Sequence, residues 1–278
     1  MLTDTFRTIT SATRKVFRSW RSMLLIGAVY ALLLALLYFF VAIKEATIAQ
    51  VTLTFAFAIA APLLFFILQA MIAAGGAKAT DNDPAGAGFI LRRSLTSFWK
   101  LLLVTLPLIA LAILIAYLLA KAQTRFGTTL PEAVTPSRLA ETARGARPPR
   151  PINWKIALFS TIRYLFFGLV LPLAAIQLWL ATAREGLGSA MRKIFALLSR
   201  AFAPRSVLIY VVGFLIFAVA PYFILFRTTQ TKHAWLELAL LLTRLVIVFA
   251  LTLFGWTITV RALGESAPEL AEKPERAT

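Results

Sequence analysis

Three ionisable side chains lie inside long apolar stretches of the sequence: Arg163, Glu237 and Arg244. A charged side chain at the centre of a bilayer costs about 2.5–3.5 kcal/mol, so such residues pair, reach the membrane surface, or serve a ligand or proton. Glu237 and Arg244 are seven positions apart and therefore share one face of a helix. Pairing, an interfacial position and a ligand or proton site all remain open for these three residues.

Two glutamines, Gln69 and Gln177, occupy apolar stretches of their own. A glutamine amide in a membrane helix most often forms an interhelical hydrogen bond, which contributes about 0.6–2 kcal/mol. A polar transport site built on the two amides is the alternative interpretation.

The inventory of catalytic and metal-binding side chains is small. The chain has no cysteine and one histidine, His233, so disulfides and thiolate chemistry are excluded. No nucleophile-elbow, phosphate-loop or His-Glu-x-x-His pattern occurs in the sequence. A single-histidine metal or pigment site is the weaker alternative. We therefore expect no enzymatic activity, no catalytic residue, no metal and no cofactor.

Apolar stretches that can cross a bilayer must position these residues. Hydrophobic residues make up 60% of the 278, and the mean hydropathy is +0.81. A run of about 18 or more apolar residues spans the hydrocarbon core as a helix, because lipid cannot satisfy free backbone groups. Such runs predict six transmembrane helices at residues 23–43, 51–74, 101–120, 156–181, 206–226 and 234–263. Four prolines inside these runs predict kinks: Pro62, Pro107, Pro172 and Pro221.

The net charge of +17 comes from basic residues at the edges of the apolar stretches. This distribution favours anionic lipid head groups over nucleic acid as the partner. The segments on the N-terminal side hold 17 Lys and Arg, against 10 on the other side, seven of which lie in a long polar loop at 121–155. Because positive residues favour the cytoplasm, both termini are expected to be cytoplasmic.

The sequence also repeats itself. Three times, a basic-aromatic stretch precedes a membrane helix, and a second membrane helix then ends near a glycine. The second helices contain Pro62 to Gly76, Pro172 to Gly186 and Ala250 to Gly264, and each pair is 14 residues apart. The prediction is an all-α polytopic fold of three helical hairpins, with one membrane domain at 1–264 and a disordered tail at 265–278.

The basic-aromatic stretches have helical periodicity, with aromatic and aliphatic residues on one face and basic residues on the other. Such helices lie in the membrane interface with their basic groups on phosphate. The alternative is that they simply extend the membrane helices beyond the bilayer. The candidate contacts to lipid head groups are Arg14, Arg18, Arg21, Arg93, Lys100, Arg192, Lys193 and Arg200.

Two stripes of small residues have the four-residue spacing that lets helices approach closely. One consists of Gly27, Ala31 and Ala35, and the other of Ala112, Ala116 and Ala120. They predict close packing, either within the chain or against a protein partner or a second copy.

The segment Arg92-Arg93-Ser94-(x)3-Phe98-Trp99-Lys100, together with the proline and glycine of the second helix, resembles a known layout. It looks like a loosely defined bacterial membrane family, typified by the membrane domain of some glycerophosphodiester phosphodiesterases and by related proteins of unknown function. The resemblance covers most of residues 5–265. It implies a six-helix protein of the bacterial inner membrane, and it carries no phosphodiesterase activity because that catalytic domain has no counterpart here.

A chain rich in packing surface and poor in chemistry favours a non-catalytic scaffold or accessory subunit of a membrane assembly, with lipid-binding interfacial helices. A transporter, or a protein that handles lipids or other amphiphiles in a cavity between kinked hairpins, is the alternative.

Overall fold

The computed structural model describes residues 2–43, 47–77, 86–125, 154–227 and 233–272, and these ranges are helical apart from short turns. The α-helices are α1 (Leu2–Arg18), α2 (Trp20–Ala42), α3 (Ile48–Ala77), α4 (Ala87–Arg125), α5 (Trp154–Leu165), α6 (Leu171–Glu185), α7 (Leu187–Arg192), α8 (Ile194–Ala201), α9 (Pro204–Phe214), α10 (Ala220–Leu225) and α11 (Ala234–Glu272). Two π-helical segments, Phe166–Val170 and Leu215–Val219, join α5 to α6 and α9 to α10.

Six stretches of the described chain are long and apolar enough to cross a membrane, which indicates a multi-pass membrane protein. They are Trp20–Ala42, Ile48–Ala77, Ala87–Arg125, Ala157–Glu185, Pro204–Leu225 and Trp235–Ser266. Each contains or closely matches one of the six predicted spans. Most helices extend beyond the apolar run. The hydrogen bonds of a helix join its own backbone groups, so they do not require apolar side chains.

The prolines act in two different ways. Pro62 and Pro107 lie inside uninterrupted α-helices, whereas Pro172 and Pro221 each follow a π-helical segment by two residues. Proline has no backbone N–H and its ring clashes with the carbonyl four residues earlier, so a locally widened turn before it relieves both problems. A π-helical segment therefore precedes both Pro172 and Pro221, while the kinks themselves stay a prediction.

The three basic-aromatic stretches differ from one another. A turn at Ser19 separates α1 from α2, and α7 and α8 are separate from α9. The second stretch is continuous with its membrane helix in α4. Residues 87–100 therefore extend that helix, as the alternative interpretation proposes. An interfacial position of α1, α7 and α8 stays a prediction.

The C-terminal helix is longer than composition predicts. Helix α11 runs to Glu272, whereas a disordered tail was expected from residue 265. Side-chain packing explains the first part of this extension, since Ser266 is buried and Glu265 pairs with Lys15. Of the predicted polar loop at 121–155, residues 121–125 and 154–155 belong to α4 and α5, and the remainder lies outside the described residues.

The contacts divide the chain into two compact units. The first comprises Met1–Thr105 and Leu173–Thr278. Within it α2 packs along α3, and α11 packs against α1, α3, α9 and α10. The second unit comprises Leu106–Pro172, and every side chain described there is exposed or half-buried. The contact between α2 and α3 is compatible with one hairpin, and the threefold hairpin repeat stays a prediction.

Candidate functional site

The buried core of the first unit is built from the C-terminal parts of α3, α6 and α11. In α6, all eleven residues from Leu173 to Ala183 are buried, so this helix is covered on every side. In α3 the buried residues run from Phe66 to Gly76, apart from two half-buried positions. A membrane helix that is buried all round marks the centre of its bundle, and polar groups placed there are the candidates for a site.

Glycines let α3 and α11 approach each other in this core. A Cβ atom at Gly264 would lie 2.6 Å from the Gly76 carbonyl oxygen, which is closer than real Cβ atoms come. A Cβ atom at Gly76 would lie 3.0 Å from the Leu180 side chain of α6. Two of the three glycines of the predicted repeat therefore meet at one point. The third, Gly186, ends α6 with a φ of +86°, a conformation that glycine adopts without a steric penalty.

Arg184 joins the three helices at this point. Its Nη2 donates to the Gly264 carbonyl oxygen at 2.7 Å and to the Gly76 oxygen at 3.5 Å, and its Nε donates to the Ala77 oxygen at 3.3 Å. The last carbonyls of an α-helix have no partner within the helix, and a guanidinium offers five N–H donors in a fixed fork. Arg184 therefore caps α3 and ties it to α11 from its own position at the end of α6.

A second arginine caps α6 itself. The Nη2 of Arg93, in α4, donates to the Ala183 carbonyl oxygen at 2.8 Å. Arg93 was predicted to contact lipid head groups, and the remainder of its side chain is exposed. Its guanidinium thus has a structural partner in addition to any lipid contact.

Neutral hydrogen bonds join the helices deeper in the core. Trp256 Nε1 donates to Gln69 Oε1 at 3.0 Å, which links α11 to α3. Trp179 Nε1 donates to Thr105 Oγ1 at 2.8 Å, which links α6 to α4. Gln69 forms the interhelical bond expected of a glutamine in a membrane helix. Gln177 is also buried, with 4% of its surface exposed.

Charged contacts attach α1 to the same unit. Lys15 pairs with Glu265 at 3.1 Å, and Arg205 Nη2 donates to Thr8 Oγ1 at 2.8 Å. The buried face of α1 consists of small residues, Thr5, Thr8, Ala12 and Val16. Phe6 and Phe17 are exposed, and the Phe17 ring also stacks on Phe254 of α11. This arrangement leaves large apolar side chains on the outer surface of α1.

The predicted intramembrane ionisable residues lie outside this core. Arg163 and Glu237 are exposed, and Arg244 is half-buried and donates to the backbone carbonyl of Arg227. The contact of Arg244 is structural. The pairing of Glu237 with Arg244 stays a prediction, as does a ligand or proton site at any of the three.

The predicted head-group contacts are available at the surface. Arg14, Arg18, Arg21, Lys100, Arg192 and Lys193 are exposed, and Arg200 is half-buried. Some of these also have partners within the chain: Arg192 donates to the Gly188 carbonyl and Lys193 pairs with Glu185 at 2.8 Å.

Some residues of the two small-residue stripes pack within the chain, and others are exposed. A Cβ atom at Gly27 would lie 3.3 Å from Leu253 of α11, so this end of the first stripe packs within the chain. Ala31 and Ala35 are exposed, as are Ala116 and Ala120, while Ala112 is half-buried. The exposed positions remain free to meet a partner.

Metal-binding groups are not brought together in the described ranges, where no cluster of three His, Asp or Glu side chains occurs. His233 is exposed at the start of α11.

No known protein family, no curated protein and no solved structure matches this chain. The resemblance to the membrane domain of glycerophosphodiester phosphodiesterases therefore stays a proposal, carried by the Arg92–Lys100 motif and the helix layout.

Sequence reasoning does not single out Arg184, which joins the end of α3 to α11 from the end of α6. In the sequence it is only one of the basic residues that set the orientation. The available signal was its position two residues before Gly186, the glycine that closes the second repeat.

Proposed function

We propose that this chain is a non-catalytic scaffold or accessory subunit of an assembly in the bacterial inner membrane, with both termini cytoplasmic and anionic lipids bound by its basic helices. The family resemblance and the excess of basic residues on one side support the location and the orientation.

The use of the buried polar groups carries this proposal. Gln69, Trp179 and the half-buried Arg184 each bond to another helix, so these three groups hold the fold together. Buried polar groups that are already paired are poorly suited to bind a changing ligand, because each would leave a partner unsatisfied in a low-dielectric site.

The outer surface supports contact with a partner. Ala31 and Ala35 present small side chains on an exposed face of α2, and membrane helices associate through such faces because their backbones can approach closely. Basic and aromatic side chains of α1 and α8 supply the surface for lipid, including Arg14, Phe17 and Phe195.

The test is co-purification of the full chain from its own membrane in mild detergent. We expect a protein partner at constant stoichiometry, lost when A31W and A35W are combined, because indoles hold the two backbones apart. A56W is the matched control, since Ala56 is an exposed alanine of α3, the helix that packs along α2. A monomeric chain without partners that moves a substrate across proteoliposomes would contradict the proposal.

A protein that transports or handles amphiphiles is the alternative function. The π-helical segments before Pro172 and Pro221 favour it, because such segments often mark functional sites in helices. Flux or lipid transfer that Gln177→Leu abolishes would establish this function, since Gln177 is the buried glutamine on the central helix α6.

A further inference from the structure

Arg261 is a buried cation that the helix contacts above do not explain. It lies in α11 with 6% of its surface exposed, and its Nε has no hydrogen-bond partner in the described part of the chain. A buried charge is costly unless it is paired and hydrogen-bonded. A hydrogen-bonding group that does not belong to the described residues would offset the free-energy cost of burying this charge.

Arg261 shares its nearest carboxylate with a second cation. Glu265 lies one turn after Arg261 in α11 and interacts with it electrostatically, and the Glu265 carboxylate also pairs with Lys15 at 3.1 Å. One carboxylate thus serves two cations.

A small cavity lies beside Arg261. It holds about 20 Å³ of water-accessible space, and Ser19, Ser22, Gly75, Gly76, Thr257 and Arg261 are among the residues lining it. A space of roughly 10–15 Å³ is enough for one water-sized atom. The cavity therefore takes one oxygen atom of a larger group, while the rest of that group stays at its mouth.

The cavity also adjoins the N-terminus of a long helix. Ser19, Ser22 and Met23 line it, and α2 begins at Trp20 with neither an acidic residue in its first turn nor a side-chain cap. The N-terminus of a helix favours negative charge. The hydroxyls of Ser19 and Thr257 donate to carbonyls of their own helices, so Arg261 supplies the charged donor.

We infer that this cavity, which we call the Arg261 cavity, binds one oxygen of a phosphate group. The phosphate belongs either to a phospholipid head group or to a free phosphate ion, which share the chemistry that Arg261 recognises. Exposed Arg18 and Arg21 lie within two residues of Ser19 in the sequence and add positive charge to this end of α2. The inference deepens the lipid-binding part of the proposed function and needs no protein partner.

Native mass spectrometry of the full chain in detergent tests this inference. The probes are phosphatidylglycerol, diacylglycerol with the same acyl chains, and inorganic phosphate. We expect R261Q to weaken phosphatidylglycerol binding about tenfold, because a hydrogen bond to a charged group is lost. The control R125Q removes an exposed charge from the end of α4, a residue outside the predicted head-group contacts, and should weaken binding less than about twofold.

A second variant keeps the charges and fills the space. A Cβ atom at Gly75 would lie 3.8 Å from Ile90, an ordinary contact, so G75A is expected to fold and to weaken binding by reducing the cavity. Displacement of the lipid by inorganic phosphate would identify the free ion as the source, and lipid binding that phosphate leaves unchanged would identify the head group. The inference would be wrong if phosphatidylglycerol bound equally to wild type, R261Q and G75A, or if diacylglycerol bound to wild type as tightly as phosphatidylglycerol. Either result would hold whether or not a protein partner is found.

Discussion

The two halves of α3 and of α11 have opposite surroundings. In α3, Phe55 and Ile59 are 67% and 64% exposed, whereas Met71 and Ile72 are 0% and 2% exposed. In α11, Leu242 is 64% exposed and Leu263 is fully buried. The N-terminal half of each helix presents its side chains outward, and the C-terminal half forms the core with α6.

The difference lies in close backbone approach and in hydrogen bonds between helices. The buried half of α3 contains Gly76, whose carbonyl lies against Gly264, and Gln69, which accepts from Trp256. Lipid tails are as apolar as leucine, so hydrophobicity gives membrane helices no reason to associate. Close backbone approach and interhelical hydrogen bonds supply that reason. They are concentrated in one half of these helices.

The largest test of this contrast is removal of the arginine that joins the buried helix ends. We expect Arg184→Ala to destabilise the protein by about 3 kcal/mol, because carbonyls at Gly76, Ala77 and Gly264 lose a charged donor. Arg184→Lys should recover only part of this loss, since an ammonium lacks the planar fork. Reversible unfolding in mixed detergent micelles measures the free energy of unfolding.

Arg14→Ala is the matched control, because Arg14 is an exposed arginine in the same unit. Its free energy of unfolding should change by less than about 0.5 kcal/mol. If Arg184→Ala were equally mild, the contrast between the two halves would depend on apolar packing alone.

Much of the fold could be predicted from the sequence, and Arg184 shows why the site could not. The six spans follow because each backbone must form its hydrogen bonds within its own helix in lipid, and this requirement depends only on the local sequence. The 14-residue spacing that ends at Gly76 and Gly264 also picked out two residues that meet in space. The carbonyls that Arg184 joins lie about 80 and 108 positions away along the chain, so only the packed structure reveals them.

Adding a methyl group where Gly264 meets Gly76 should have the next largest effect on the free energy of unfolding. We expect Gly264→Ala to cost about 2 kcal/mol, since its Cβ atom would overlap the Gly76 carbonyl and force α3 and α11 apart. Gly88→Ala in α4 is the control, because a Cβ atom there meets nothing within 4 Å. That control should be neutral or slightly stabilising, because alanine favours a helix. Equal stability of the two variants would contradict the close contact.

The smallest expected effect comes from a single neutral hydrogen bond in the core. Trp179→Phe keeps an aromatic ring next to Thr105 but removes the indole N–H, so we expect a loss of about 1 kcal/mol. The double variant with Thr105→Val should be less destabilised than the sum of the single changes, because the hydroxyl and the N–H are partners and a double-mutant cycle isolates their coupling. Trp235→Phe, at an indole that is 78% exposed in the other half of α11, should leave the free energy of unfolding within about 0.5 kcal/mol of wild type. Additive losses at Trp179 and Thr105 would show that the buried halves associate through their small residues without help from this bond.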